Sequence, residues 1–209
     1  TSGVGGNVTY VTALTQGASS GYQTVVSLPA KNSMTYFASD VESRRCILNE
    51  LTSGSFNDNL NARMDVNTTL DPTSGDTIAN YVMLSSVQYG YAYTLSSLTT
   101  GAGIKLELNA AKHYLFNIDD MLSLGAETEI VQCDSWDSTT GECVVATSPT
   151  TGSVTWNVGG YASVGEKAVL IGNVLAKGYI STGVDSVMKG NLHSQTSYVT
   201  IGASGTVNP

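Results

Sequence analysis

Three short stretches near the C-terminus share one wording: Tyr161-Ala-Ser-Val-Gly165, Tyr179-Ile-Ser-Thr-Gly183 and Tyr198-Val-Thr-Ile-Gly202. Their glycines stand 18 and 19 residues apart. Each stretch is followed by a second apolar cluster (Val169-Leu170, Val187-Met188, Val207), and the pair Gly172-Asn173 recurs as Gly190-Asn191. Weaker copies lie upstream at Leu98-Thr-Thr-Gly101 and Leu122-Ser-Leu-Gly125. A repeat of this length is one coil of a β-solenoid, in which short strands joined by corners stack on the next coil. Strand alternation sends Ala162 and Val164, Ile180 and Thr182, and Val199 and Ile201 inward. It sends Tyr161 and Ser163, Tyr179 and Ser181, and Tyr198 and Thr200 outward as ladders. The glycines let the backbone turn where a side chain would clash. A β-sandwich also spaces its strands regularly, but does not usually repeat its wording. The expected fold is mainly β: a right-handed parallel β-solenoid (β-helix) with one helix packed alongside.

That helix is expected over residues 39–52. Ser39-Asp-Val-Glu42 is a capping box, Val41, Ile47, Leu48 and Leu51 form an apolar stripe at helical spacing, and Gly54 follows as a stop. The stripe must be buried, and the outward tyrosine ladder is a candidate surface for it. Residues 1–37 hold strand-like runs at Asn7 to Leu14 and Gln23 to Leu28. They read as early coils, as a cap, or as an arm that pairs with a neighbouring molecule. Residues 53–80 are polar and read as a connection or cap. All 209 residues are expected to form one domain, with solenoid coils over 97–208.

Apolar residues make up 41% of the chain, enough for a packed core, whereas charged residues are only 12%. The formal net charge is −8 and the pI about 4.5. With no basic cluster to offset that charge, nucleic acid and anionic membrane surfaces are disfavoured as partners. No apolar run is long enough to span a membrane as a helix, so no membrane insertion is expected. Of the three cysteines, Cys133 and Cys143 bracket a polar loop, Asp134 to Glu142. A disulfide there suits an oxidising compartment, whereas zinc would need more ligands than two histidines, His113 and His193, offer. Cys46 is left over, as a buried thiol or a link to another chain. Asn7 and Asn67 begin glycosylation sequons. The expectation is a secreted protein, extracellular or at the cell surface, whose leader has been removed.

Val154-Thr-Trp-Asn-Val-Gly-Gly160, Gly172-Asn-Val-Leu-Ala176 and Gly190-Asn-Leu-His-Ser-Gln-Thr196, ahead of Val199-Thr-Ile201, resemble the microbial ice-binding protein family. Tyr114-Leu-Phe-Asn-Ile118 before Leu122-Ser-Leu-Gly125 looks like that family's preceding strand and coil. The match runs from about Thr99 to Val207 and is closest over the last third. It implies a discontinuous right-handed solenoid of triangular section flanked by one long helix, and adsorption to ice. Three features depart from the family: Asn191 stands where an arginine is common, the N-terminal half lacks a clear opening segment, and the Cys133–Cys143 loop looks like an insertion between coils.

Under that resemblance the outward hydroxyls Thr99, Ser123, Ser163, Ser181 and Thr200 are the ice- or surface-binding row, with Thr155 and Thr196 on a neighbouring strand. The rival reading is a structural protein that assembles with copies of itself into an extracellular filament, sheath or adhesive layer. It draws on the tyrosine ladder, on the bulky or charged Leu175, Lys177, His193 and Gln195, and on strand edges at both ends of a solenoid. No catalytic residues, cofactor or metal site are expected. Asp119 and Asp120, read as strand neighbours, face opposite ways, and the loop trio Asp134, Asp137 and Glu142 reads as a solvated turn.

Overall fold

The structure is a computed structural model that describes residues 4–9, 14–16, 23–25, 63–70, 78–83, 86–147 and 152–208. The stretch expected to be helical, 39–52, lies outside the described residues. From the N-terminus come β1 (Val4–Thr9), β2 (Leu14–Gln16) and β3 (Gln23–Val25), then β4 (Arg63–Met64), β5 (Thr68–Leu70), β6 (Ile78–Met83) and β7 (Ser86–Leu95). The next turns are β8 (Leu98–Thr100), β9 (Lys105–Asn109) and β10 (Tyr114–Ile118), then β11 (Leu122–Leu124), β12 (Glu129–Trp136), β13 (Cys143–Val145) and β14 (Val154–Val158). The last turns are β15 (Ala162–Val164), β16 (Val169–Ile171) and β17 (Asn173–Ala176), β18 (Ile180–Thr182), β19 (Val187–Lys189) and β20 (Leu192–Ser194), and β21 (Val199–Ile201) with β22 (Thr206–Asn208).

Each complete coil contributes one strand to each of three walls, and strands pair with the coils above and below. The first wall runs β4-β8-β11-β15-β18-β21-β2, parallel throughout. The second runs β5-β9-β12-β16-β19-β22 and the third β7-β10-β14-β17-β20. Strand β1 joins these two, because Val4 pairs with Val207 while Val8 and Thr9 pair with Leu192 and His193. The stacking order therefore departs from chain order. Strands β1 and β2 lie beyond the last coil, whereas β4, β5 and β7 lie at the opposite end of the stack. The solenoid is discontinuous, and residues 26–62 connect its two ends.

The inward residues foreseen from the repeat form the core. Leu98, Leu122, Ala162, Ile180 and Val199 stack in register in the first wall, all fully buried. In the third wall Tyr93, Phe116 and Trp156 stack ring on ring, with centroids 5.4 and 4.3 Å apart. Parallel pairing in register sets like beside like, and these three rings meet face to face, whereas Tyr91 and Tyr114, also in register, meet at a tilt of 41°. The Trp156 indole nitrogen donates to the Ile171 carbonyl at 2.8 Å, which satisfies its one polar atom.

Corners obey backbone sterics. Between the first and second walls Glu127, Lys167, Asp185 and Ser204 all adopt left-handed backbone, φ 55 to 58°, at equivalent positions in successive coils. The glycine two residues before each of them is needed for a different reason: a Cβ on Gly183 would lie 2.5 Å from the Glu166 backbone nitrogen of the adjoining coil. Between the second and third walls Gly172 and Gly190 have φ of +102 and +145°, and the Asn191 amide donates to the Asn173 side-chain oxygen at 2.7 Å. Trp156→Ala removes the largest fully buried side chain from the stack. It is expected to cost about 3 to 5 kcal/mol, read as a lowered denaturant midpoint in equilibrium unfolding.

Candidate functional site

Short strands give the first wall one outward residue each, flanked by two inward ones. That outward position is Thr99 in β8, Ser123 in β11, Ser163 in β15, Ser181 in β18 and Thr200 in β21, every one half-buried. The pairing aligns them as a single row: Thr99 with Ser123, Ser123 with Ser163, Ser163 with Ser181, and Ser181 with Thr200. Parallel strands repeat at about 4.8 Å, so the row is a ruler of hydroxyls with that pitch. The Ser181 hydroxyl reaches Ser163 Oγ at 3.5 Å. Backbone pairing continues past both ends of the row. Strand β2 sets Thr15 in register with Thr200, and β4 sets Arg63 in register with Thr99. No spacing signal marks Thr15, because its coil sits beside the last one in space and some 180 residues away in sequence.

The two remaining candidates do not join this row. Thr155 lies on β14 in the third wall, paired with Leu115 and Asn173, and is fully buried. It points away from the core as alternation requires, but the outer side of this wall is itself covered. Ala92, Leu115, Asn157, Asn117 and Leu175 on that side are buried too. Thr196 sits in the bend after β20, not on a strand, and its exposed hydroxyl donates to the Lys177 carbonyl at 2.6 Å. Neither is part of a flat array.

Beside the hydroxyl row, Tyr161, Tyr179 and Tyr198 stack with ring centroids 4.8 and 5.5 Å apart. Tyr198 is 42% exposed, so the tyrosine ladder remains at the surface, and the covered outer face is that of the third wall instead. The second wall is open but charged: Lys105 pairs with Glu129 at 3.2 Å, and Glu107 and Lys189 also face outward.

Cys133 and Cys143 form the disulfide expected from the polar loop they bracket. They staple a hairpin in which β13 runs antiparallel to β12, off the main path of the sheet, so the loop is indeed an insertion between coils. Trp136 anchors it by donating from its indole nitrogen to Glu107 at 2.8 Å. The Asp137 carboxylate accepts the Thr139 and Thr140 backbone N–H groups, both at 2.8 Å. Those bonds, Thr140's first, hold its pKa below the ordinary carboxylate value. Asp119 and Asp120 occupy the exposed bend after β10, not a strand, so the alternation expected for them does not apply. His113 Nδ1 accepts the Ser153 backbone N–H at 3.1 Å. Among the described residues no helix is long and apolar enough to cross a membrane.

Residues 2–207 match the family model described as ice-binding-like. No curated protein matches the chain in sequence. Among solved structures, a glycosylated ice-binding protein from an Arctic yeast is similar, with TM-score 0.59 and 17% identity over 99% of this chain and 88% of that one. An ice-binding protein domain of Shewanella frigidimarina gives TM-score 0.54 at 15% identity, covering 99% and 91%. One from the Antarctic ascomycete Antarctomyces psychrotrophicus gives 0.52 at 15%, covering 99% and 92%. At such identities the likeness shows the fold.

Position in the walls dictates opposite responses to the same substitution. Thr155→Lys buries an uncompensated charge and is expected to cost more than about 3 kcal/mol. Ser163→Lys leaves its ammonium in water and stays within about 0.5 kcal/mol of the native protein, both read by thermal unfolding.

Proposed function

The chain belongs to the ice-binding-like family, and from that premise we propose that it adsorbs to ice through the outer side of its first wall. The observation that carries this reading is the in-register row Thr99, Ser123, Ser163, Ser181 and Thr200. Hydroxyls both donate and accept, as water does, and a row fixed by backbone pairing holds them at constant pitch. Water bound along such a row is ordered before a crystal arrives, so docking to a growing face costs little further entropy. The second wall suits this less well. Its Lys105, Glu129, Glu107 and Lys189 hold hydration shells of their own, organised around charge. Adsorption of this kind needs no catalytic group, and the function is binding, not turnover.

The same reading extends to the architecture. We take residues 1–209 as one domain wound right-handedly, the hand that parallel crossovers adopt almost without exception. Residues 97–208 supply the successive coils, and the described strands β1 and β2 extend the stack beyond the last of them. The disulfide fits secretion, because such bonds persist in oxidising compartments.

Ser181→Lys, in the middle of the row, is expected to abolish thermal hysteresis and ice-crystal shaping, whereas Val187→Lys on the second wall leaves both near native. The reverse pattern moves the binding surface to the second wall. Native protein that leaves ice growth unchanged, and instead scatters light as filaments, replaces adsorption with assembly.

A further inference from the structure

We propose that Tyr161, Tyr179 and Tyr198 form a second ice-contacting rank, whose phenol hydroxyls determine the lattice orientation that the first wall accepts. The proposal rests on the adsorption reading above and adds to it a group of residues outside the Ser/Thr row.

A single row of hydroxyls repeats in one direction only, along the stack of coils. It fixes one lattice vector and leaves the ice free to rotate about that line. Orientation requires a second rank at a constant offset. Each tyrosine lies two residues before a hydroxyl of the row, Tyr161 before Ser163, Tyr179 before Ser181 and Tyr198 before Thr200. Each tyrosine immediately precedes its strand and its carbonyl already accepts an N–H from the neighbouring coil, so two residues of extended backbone set it about 6.6 Å from the hydroxyl of its row.

An isolated surface tyrosine would swing about its side-chain torsions and could not serve as a lattice point. These three cannot swing independently. Their rings stack at 4.8 and 5.5 Å with interplanar angles of 11 and 12°, close to the strand pitch of about 4.8 Å. Beyond Tyr161 the stack continues onto Met121, whose sulfur accepts the Tyr161 hydroxyl at 2.9 Å. Ring faces thus cover one another; the Tyr161 hydroxyl, donating to Met121, can still accept from water, and Tyr198, the most exposed of the three, ends the stack. Burial, and then the neighbouring Tyr161 and Tyr198, raise the pKa of Tyr179 above that of an ordinary phenol. A phenol is neutral at physiological pH with or without that shift, able both to donate and to accept as a water does.

A purely structural role, bracing the corner between the third and first walls, would need the rings and not the hydroxyls. The combined variant Tyr161→Phe, Tyr179→Phe and Tyr198→Phe separates the two, since it keeps the stack and deletes the polar atoms. Thermal hysteresis is measured together with the planes decorated when a single-crystal ice hemisphere grows in fluorescently labelled protein. The expected result is a several-fold loss of hysteresis with altered or lost plane decoration, at an unchanged melting temperature. If the triple variant folds poorly, Tyr179→Phe alone is used, with a smaller loss expected. Native hysteresis and native planes in the folded variant overturn the proposal and leave the rings as a brace. Ser181→Lys is run in parallel: if it too behaves as native, the first wall is not the ice contact, and the adsorption reading of this wall falls together with the second rank.

Discussion

Every coil depends on the coil beside it for its backbone hydrogen bonds. Leu122 N–H reaches the Tyr161 carbonyl, Ala162 N–H the Tyr179 carbonyl and Ile180 N–H the Tyr198 carbonyl, at 3.0 to 3.1 Å. These are links between successive turns, and none lies within a turn. A coil alone would leave its strands unpaired and its apolar side exposed, so stability is a property of the stack. The same bonds impose a common pitch on everything the strands carry. Core residues meet their equivalents inside, and hydroxyls and phenols meet theirs outside. Regularity of the outer surface is thus a by-product of how the backbone is satisfied.

Corners tolerate irregularity where walls do not. Inside a wall, one extra residue would reverse the facing of every side chain that follows. At a corner, extra chain can loop outward and return. The hairpin closed by Cys133 and Cys143 uses that freedom between β12 and β14, and the register of Thr155 with Leu115 and Asn173 is kept across it. Its anchoring through Trp136 to Glu107 ties it down on the second wall, clear of the hydroxyl row.

The discontinuity of the solenoid makes the three walls unequal. Because β1 and β2 lie beyond the last coil while β4 and β5 begin at the other end, the chain must cross the length of the stack. The outer side of the third wall is buried, the second carries charge, and the first presents small neutral hydroxyls. A small, neutral and uncovered surface is what remains once covering and charge have taken the other two.

Local wording determined the coil repeat, the inward and outward alternation around Ser163, Ser181 and Thr200, the glycine corners and the pairing of Cys133 with Cys143. Each of these is a constraint between residues close in the chain or one period apart, and periodicity records such constraints directly. What lay beyond the sequence was relations between distant segments. Thr15 joins Thr200 because the first coil in the chain is set beside the last in space. Thr155 obeys the alternation that turns it outward, yet is buried, because alternation fixes a direction and only tertiary packing decides what waits there. Direction is a local property of the backbone; exposure belongs to the whole fold.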